Sequence, residues 1–433
     1  MSNTRNTSTV AEGLPARAAA LQALGDVLRK RRPLDVALEA TLNLPPRDAG
    51  FARAIASETL RRFGQIEALV RHFVPKTPAP HKSGPTLEIL FAGTCELLFL
   101  NVPAHAAVDA ANRLAQADSK AVHFKSLINA VLRRVSREGA AILAEQDAAV
   151  LNTPDWLWLR WSDAYGETIT RKIAEAHAVP APVDIVLKGD GPAPEGERLF
   201  GDVVRLCEAG RVDALRGFDE GAWWVQDAAA TLPAHLLGAV RGQRVIDLCA
   251  APGGKTMQLA AAGGVVTSVD REPERIARVR ENLARTKLEA TVVEADVRDF
   301  RPGEPAPFVL LDAPCTATGT IRRHPDLPWI KGASDVTLCE QGASELLDAA
   351  AEMVAPGGTL VFAVCSLEPE EGVGQADAFL QRNKQFARAK ITAHDVFGMT
   401  ELISAEGDLR TLPCHLADKG GMDGFFAARF RRS

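Results

Sequence analysis

Short apolar runs alternate with helical patterns from about residue 236 to the end of the chain, and this alternation limits the fold more than composition does. Runs such as VVTSVD (265–270) and PFVLLDAP (307–314) are typical of buried strands, and the segments between them have helical periodicity. Repeated strand–helix units predict a doubly wound, mostly parallel α/β sheet over residues 236–433. In such sheets, ligands bind beyond the carboxyl ends of the strands.

Acids and cysteines stand at the ends of the predicted strands, which a parallel sheet would bring to one edge: Asp247, Cys249, Asp270, Asp296, Asp312, Cys315 and Cys365. A single cysteine is usually a small buried hydrophobic residue. Two cysteines at neighbouring strand ends, Cys315 and Cys365, are candidate nucleophiles, because a thiolate over a ligand crevice can attack a substrate. The spacing alone leaves open which of them attacks, and whether either does.

The segment DLCAAPGGKT (247–256) places Gly253 and Gly254 between a strand and a helix, where a ligand can approach the backbone. It has neither the G-x-x-x-x-G-K-[ST] spacing of a phosphate loop nor the G-x-G-x-x-G of a dinucleotide site. Asp270 ends the next strand and suits a ribose diol. Asp296 follows the third strand and suits an adenine amino group. These features are compatible with NAD or with S-adenosylmethionine.

The front of the chain has a different pattern, with apolar residues at helical spacing over residues 16–144. We therefore predict an all-helical domain over 1–145, a small α+β connector over 146–235 and the α/β domain over 236–433. Residues 1–150 contain 19 Lys and Arg against 14 Asp and Glu, whereas the remainder contains 31 against 41. A basic front suggests a polyanionic partner, with Arg29–Arg32 and Arg133–Arg134 as phosphate ligands, and ordinary solvated helix faces are the alternative.

Composition sets the compartment that we expect. The sequence has no run of about 18 apolar residues, so we expect no membrane span. Residues 1–17 are polar and lack the apolar core of a signal peptide, so we expect a disordered tail there. The seven cysteines include no C-x-x-C pair, so we expect no disulfide framework and no metal site. The expectation is a cytoplasmic protein.

Five blocks in the sequence resemble the RNA 5-methylcytosine methyltransferase family, the RsmB/NOL/NSUN family: WWVQDAAA, DLCAAPGGKT, DAPCTATGTIRRHPDLPW, VCSLEPEE and GMDGFF. The front is similar to the NusB-like domain of one branch, through PAHAAVDAANRLA and FKSLINAVLRRVSRE. This resemblance extends from about residue 16 to the end of the chain. It implies a Rossmann-like, S-adenosylmethionine-dependent methyltransferase domain behind a NusB-like domain.

The resemblance also implies roles for single residues. Cys365 would be the nucleophile and Cys315 would assist product release. Asp312 would contact the base or the cofactor amine, and Lys255 would orient Asp312 or hold a thiolate. The cofactor residues of the family correspond here to Cys249, Ala250, Ala251, Pro252, Gly253, Gly254, Lys255, Asp270, Arg275, Asp296 and Asp312. Three positions depart from the usual family pattern, namely Val364, Thr316 and Gly372.

The branch with a NusB-like front implies an RNA substrate, specifically a cytosine of 16S rRNA before the subunit is fully assembled, and a monomeric enzyme. The target base must leave its stack to reach a nucleophile. Arg322 and Arg323 could hold RNA phosphates, with a solvated loop as the alternative. A tRNA methyltransferase, a non-catalytic assembly factor and an NAD-dependent dehydrogenase are the competing functions. The dehydrogenase leaves both cysteines unexplained.

Overall fold

The structure is a computed structural model that describes residues 13–207 and 210–433. The described residues form two compact units, one comprising the chain up to Val179 together with Arg323–Gly332, and the other comprising Pro180–Arg322 and Ala333–Ser433. Most of the predicted disordered tail lies outside the described residues, and the first helix already begins at Leu14. The domain limits at 145 and 235 stay predictions.

The first unit is helical, as its periodicity predicts. Its longer helices are Leu14–Lys30, Pro46–Arg61, Phe63–Phe73, Thr86–Leu98, Ala104–Ala117, Lys125–Ala144, Asp155–Tyr165 and Glu167–His177, with short turns of helix at Leu34–Ala37, Pro80–Ser83, Ala148–Leu151 and Leu327–Ile330. The predicted apolar stripes point inward, and Leu24, Ile55, Ile66 and Leu69 are fully buried in one core. Residues 48–74 predict one continuous helical pattern, but the helix is interrupted at Arg62, whose φ of −106° and ψ of 16° are not helical.

The segment Arg323–Gly332 belongs to the helical unit although it lies inside the α/β part of the sequence. The indole Nε1 of Trp329 donates to the carbonyl of Leu60 at 2.9 Å, and Asp326 Oδ2 accepts from the Leu34 N–H at 3.0 Å. The chain thus leaves the second unit after Arg322, contributes ten residues to the first, and returns at Ala333. Sequence periodicity does not show this exchange, because it depends on contacts between residues almost 300 positions apart.

The second unit contains two sheets. The smaller is antiparallel, with strands β1 (Asp184–Leu187), β2 (Gly196–Phe200), β3 (Val203–Leu206) and β4 (Trp223–Val225) in the order β2-β3-β1-β4. The larger contains β5 (Arg244–Leu248), β6 (Val265–Asp270), β7 (Thr291–Glu294), β8 (Ala306–Asp312), β9 (Val354–Val364), β10 (Phe386–Arg388), β11 (Leu409–Arg410) and β12 (Phe426–Arg432). Its order is β10-β12-β9-β8-β5-β6-β7, and β11 also pairs with β12.

The large sheet confirms the predicted doubly wound fold. Strands β5 to β9 are parallel to one another. Strand β12 is antiparallel to β9, and β10 and β11 are in turn antiparallel to β12. Helices Ala228–His235, Gly254–Ala261, Pro273–Thr286, Ala333–Glu352 and Val373–Arg382 belong to the same unit. The chain goes from β5 outward to β6 and β7, and then returns to the other side of β5 with β8. This change of direction opens a crevice at the carboxyl ends of β5 and β8, where such folds bind ligands.

Two element boundaries differ from the prediction. The spacing of SELLDAAAEMV predicts a helix over 344–354 that the run Pro356–Gly358 closes. The helix in the structure begins much earlier, at Ala333, and ends at Glu352. The run Pro356–Gly358 does not close that helix but forms part of β9, where the pairing with β8 shifts register. Proline and glycine indicate an irregularity, and here the irregularity lies inside a strand. No helix among the described residues is both long enough and apolar enough to cross a bilayer.

Candidate active site

The loop after β5 turns the chain from the strand into the helix Gly254–Ala261. Gly253 caps that helix with a φ of +102°, a left-handed conformation that a side chain would strain. A Cβ at this position would also approach Val279 Cγ1 to 3.3 Å. The glycine pair therefore permits a tight turn that leaves the start of the helix at the ligand edge, as predicted from DLCAAPGGKT.

The carboxylate of Asp270, at the end of β6, ties this loop to the neighbouring strand. Its Oδ2 accepts from the Ala251 N–H at 3.0 Å, and its Oδ1 accepts from the Glu272 N–H at 3.1 Å. The Arg275 guanidinium lies 3.8 Å from Oδ2 and also donates to the Ala251 carbonyl. Each carboxylate oxygen can accept a further hydrogen bond. Asp270 can therefore hold the loop and a ligand hydroxyl at the same time.

A cavity of about 350 Å³ opens beside Asp270. Its walls include four of the predicted cofactor residues, Cys249, Asp270, Arg275 and Asp296. The other predicted cofactor residues, 250–255 and Asp312, lie outside this lining. A larger cavity of about 740 Å³ opens at the amino ends of β6 and β7, away from the predicted site.

Several cavity residues escaped the sequence reasoning: Arg271, Glu272, Ala295, Val297, Arg298, Pro314, Leu338, Cys339, Gly342 and Leu346. The last four lie on the helix Ala333–Glu352, which begins earlier than its periodicity predicts, and Cys339 follows no predicted strand that would suggest a role for it. In the structure, the Leu338 side chain on this wall is 66% exposed. A large apolar side chain left in water beside a pocket suits an apolar ligand group.

Asp296 is held by its neighbour Arg298. The Arg298 side chain donates to both carboxylate oxygens, at 2.9 Å and 2.7 Å, and its backbone N–H donates to Oδ1 at 2.9 Å. These hydrogen bonds, with the arginine charge, lower the pKa of Asp296 to about 2. The carboxylate therefore stays ionised, as an acceptor for an amino group at the cavity wall.

Lys255 and Asp312 form a pair between the glycine loop and the end of β8. The Lys255 Nζ donates to Asp312 Oδ2 at 2.6 Å, and Lys255 is only 8% exposed. Burial opposes the charged ammonium, but the Asp312 carboxylate outweighs it and raises the pKa of Lys255. Cys365 adds to this effect, so the lysine charge is electrostatically coupled to that sulfur. The contact with Asp312 is compatible with the orienting role of Lys255, and both of its predicted roles stay predictions.

The two strand-end cysteines lie next to each other. Their Sγ atoms are 3.5 Å apart, and both side chains are partly accessible. The hydrogen bond with Cys365, followed by burial, raises the pKa of the Cys315 thiol well above its usual value. Burial also raises the pKa of Cys249, which lies in the cavity wall. The pair of adjacent thiols is therefore Cys315 with Cys365, at the carboxyl ends of β8 and β9.

The departures from the family pattern have local explanations at two positions. The Thr316 hydroxyl donates to Glu371 Oε2 at 2.6 Å, so this position keeps a hydroxyl donor. A Cβ on Gly372 would come within 2.9 Å of the Phe426 ring, so a larger residue does not fit. Val364 is fully buried at the end of β9, and nothing in the structure explains its identity.

The arginines proposed as phosphate ligands divide into two groups. The prediction for Arg322 is wrong, because it is 1% exposed and lies 3.7 Å from Asp227 and 3.5 Å from Asp423. In the first basic cluster, Lys30 and Arg32 pair with the buried Asp26. Two further members are also engaged, Arg29 by Glu88 and Arg31 by the Ile330 carbonyl. Arg134 likewise pairs with Glu138. Because residues 29–32, Arg133 and Arg134 are all exposed, both clusters stay predictions, measurable as salt-sensitive rRNA binding.

This sheet order, with a glycine turn after β5 and an acid after β6 at the rim of a cavity, defines a Rossmann-like S-adenosylmethionine-dependent methyltransferase. Family models agree with that class: 16S rRNA methyltransferase RsmB/F matches residues 234–431, and the NusB family matches residues 14–137. The chain is 36% identical to the ribosomal RNA small subunit methyltransferase B of Pseudomonas putida, over 95% of this chain and 97% of the relative. The chain therefore belongs to the RsmB/F family of rRNA methyltransferases.

Solved structures show the same fold. The protein PH0851 has a TM-score of 0.76 at 22% identity, over 97% of this chain and 98% of its own. NSun6 from Pyrococcus horikoshii, solved with SFG, has a TM-score of 0.52 at 18% identity, over 64% of this chain and 98% of its own. The fold therefore confirms a helical NusB domain and a methyltransferase domain, and the family uses S-adenosylmethionine to methylate rRNA.

Proposed function

We propose that the protein methylates carbon 5 of a cytosine in 16S rRNA through a covalent bond between Cys365 and the base. The observation that carries this proposal is the 3.5 Å contact of the Cys315 and Cys365 sulfurs, at strand ends that adjoin the Lys255–Asp312 pair. Carbon 5 of cytosine is a weak nucleophile, and addition of a thiolate at carbon 6 makes it enamine-like. A thiolate with a second proton-transfer group beside it suits this reaction.

The residues of the cavity fit S-adenosylmethionine, which would supply the methyl group as a sulfonium. Asp270 has acceptor capacity for the ribose hydroxyls, and Asp296 has it for the adenine amino group. Val297, Pro314 and Leu338 provide an apolar wall suited to an adenine ring. We assign the backbone of 249–254 to the amino-acid part, near the helix N-terminus, with Lys255 and Asp312 toward the base.

The proposed proton positions follow from the pair of sulfurs. The raised pKa of Cys315 keeps its thiol protonated, so we assign the thiolate to Cys365, where the Lys255 charge stabilises it. The Cys365 sulfur forms a bond to carbon 6, and the electrons of the C5–C6 double bond become available at carbon 5. Those electrons would form the bond to the methyl carbon while its bond to the sulfonium sulfur breaks, and that sulfur would keep the electron pair as a neutral thioether. Carbon 5 then carries both a methyl group and a proton.

Product release requires loss of that proton. Once Cys365 is a neutral thioether, its negative charge no longer opposes ionisation of Cys315, whose own proton passes to solvent. The Cys315 thiolate then takes the proton from carbon 5, the double bond re-forms, and the bond between Cys365 and carbon 6 breaks. The net change exchanges one ring proton for a methyl group. We propose that these steps take place in the cytoplasm, on a monomeric enzyme, before the subunit is fully assembled.

Deletion of the gene tests this function. Bisulfite sequencing of rRNA and tRNA from the deletion strain is expected to show one 16S cytosine that has lost its protection, because 5-methylcytosine resists deamination. A plasmid copy of the wild-type gene should restore the protection. Loss of protection in a tRNA instead would make the protein a tRNA methyltransferase, and unchanged RNA in the strain would favour a non-catalytic assembly factor.

Asp270→Ala is expected to weaken S-adenosylmethionine binding about tenfold or more, since loss of hydrogen bonds to a charged group costs roughly 1.5–3 kcal/mol. Calorimetry with the folded variant measures the effect. Glu294→Ala is the matched control, because Glu294 ends the adjacent strand β7 opposite Asp270 and lies outside the cavity lining. Equal affinities for the wild type and a folded Asp270→Ala protein would remove Asp270 from the cofactor site.

A further inference from the structure

A buried group of hydroxyls and carboxylates adjoins the cysteine pair. Thr316 directly follows Cys315, and Ser366 directly follows Cys365. Both of these residues and Glu371 are fully buried. We call Thr316, Ser366 and Glu371 the Glu371 cluster. None of the three is among the residues that the sequence analysis proposed for the site.

The Glu371 carboxylate connects the two cysteine loops. Its Oε1 accepts from the Thr316 backbone N–H at 2.8 Å, and its Oε2 accepts from the Thr316 hydroxyl at 2.6 Å. The Ser366 hydroxyl donates to the same Oε2. One side chain therefore binds the residue after each cysteine, although those residues are 50 positions apart in the chain.

Further hydrogen bonds support this connection from the other side. The Gly319 N–H donates to the Cys365 carbonyl at 3.0 Å, and the Leu367 N–H donates to the Thr318 hydroxyl at 3.0 Å. The Arg410 guanidinium donates to the Ser366 carbonyl at 2.6 Å. The Ser366 hydroxyl also lies 3.3 Å from the hydroxyls of Thr316 and Thr318. The backbone around the two cysteines is thus held at several points, and Glu371 contributes the carboxylate that binds both loops.

A carboxylate suits this position better than an amide would. Burial raises the pKa of Glu371, whereas the hydrogen bonds from Ser366 and Thr316 oppose that shift. Three donors converge on its two oxygens and favour the ionised carboxylate, which offers only acceptors. Glutamine has one acceptor oxygen and two N–H donors, so at least one of the three hydrogen bonds would be lost. A lost hydrogen bond in a buried cluster leaves an unpaired polar group, which is unfavourable.

We propose that Glu371 is a positioning residue that sets the spacing of the Cys315 and Cys365 sulfurs. It acts through Thr316 and Ser366 and does not itself touch the substrate. Its effect on catalysis rests on the proposed function, because the spacing matters only if both sulfurs act on one base. Its effect on the spacing does not depend on that function. Small errors in the position of reacting groups cost large factors in rate.

The charge of Glu371 has a second effect on the pair. After the hydrogen bond with Cys365, burial and the Cys365 charge, the Glu371 charge also raises the pKa of Cys315. A negative charge near Cys315 helps to keep the proton on that sulfur. This is the distribution of charge in which Cys365 is the nucleophile.

Disulfide formation measures the spacing without reference to methylation. Diamide removes two hydrogens from the thiols of Cys315 and Cys365, which form an S–S bond, while its azo group becomes a hydrazine. In the wild-type enzyme the sulfurs are already in contact, so peptide mass spectrometry should show this link forming rapidly. Glu371→Gln is expected to slow it at least about fivefold, since the effective concentration of the two thiols falls.

Turnover provides the second measurement. Glu371→Gln is expected to lower kcat at least about tenfold, with KM for S-adenosylmethionine within about twofold, because the cofactor cavity does not include the Glu371 cluster. Glu352→Gln is the control for loss of one carboxylate, since its side chain is 70% exposed. Thr316→Val is the second variant, removing one hydroxyl donor if Glu371→Gln fails to fold.

The outcomes separate the two proposals. Slower disulfide formation together with lower kcat supports the positioning role. If disulfide formation is slower in Glu371→Gln but the wild-type enzyme does not methylate carbon 5, the positioning role is supported and the proposed function is overturned. Wild-type rates of both reactions in folded Glu371→Gln and Thr316→Val, even with a lower Tm, mean that the Glu371 cluster contributes only stability, and the inference fails.

Discussion

Cys365→Ala is expected to abolish methylation of rRNA, with a loss of roughly 10⁴-fold or more in kcat, the scale seen when a covalent nucleophile is removed. Without a thiolate at carbon 6, carbon 5 has no enamine-like electrons to offer the methyl group. The Cys315 sulfur does not replace it, because its raised pKa keeps the proton on that thiol. Transfer of a labelled methyl group from S-adenosylmethionine to rRNA measures the loss.

The Cys365→Ala protein must remain folded and bind its cofactor for this result to be informative. Cys365 lies outside the cavity lining, so calorimetry should give an S-adenosylmethionine affinity close to that of the wild type. Cys207→Ala serves as the control for removal of a thiol, since Cys207 is exposed and has no place in the proposed site. Methylation retained within about tenfold in Cys365→Ala would remove the covalent route.

Local patterns explain why much of the fold could be predicted. The sequence predicts a strand over 265–270 and a helix over 273–286, and strand β6 and the helix Pro273–Thr286 have these bounds. An acid ends that strand, and a proline begins the helix at a position where its missing N–H has no cost. The helix Ala333–Glu352 was placed less well, because its amino-terminal half carries exposed residues such as Leu338 that mask the helical periodicity.

Contacts between distant residues explain what sequence reasoning missed. Arg322 looks like a phosphate ligand beside Cys315, but Asp227 and Asp423 surround it in the folded chain. Glu371 is the last residue of the block VCSLEPEE, yet its partnership with Thr316 becomes visible only when the ends of β8 and β9 are adjacent. The type of a residue predicts the chemistry it can perform, whereas the fold determines which residues it contacts.

Cys315→Ala is expected to give the opposite result from Cys365→Ala, because it leaves the nucleophile in place and removes the group that assists release. Attack at carbon 6 and methyl transfer then proceed, but loss of the carbon 5 proton is slow. Proton transfer by a positioned side chain is typically worth 10²–10⁴-fold, so turnover should fall by roughly 10²-fold. The enzyme should accumulate as an adduct between Cys365 and the RNA.

Denaturing gels with labelled rRNA detect that adduct as a slowly migrating, protease-sensitive band. The Cys315→Ala protein should show the band. The double variant Cys315→Ala, Cys365→Ala should lack it, because the adduct is formed by the Cys365 sulfur. A band in Cys365→Ala and none in Cys315→Ala would exchange the two roles and make Cys315 the nucleophile. Full activity in both single variants, without any band, would reduce the 3.5 Å contact to packing of two partly buried thiols. The two sulfurs are adjacent, and either could reach the same base, so the asymmetry between the variants tests which sulfur attacks and which assists release.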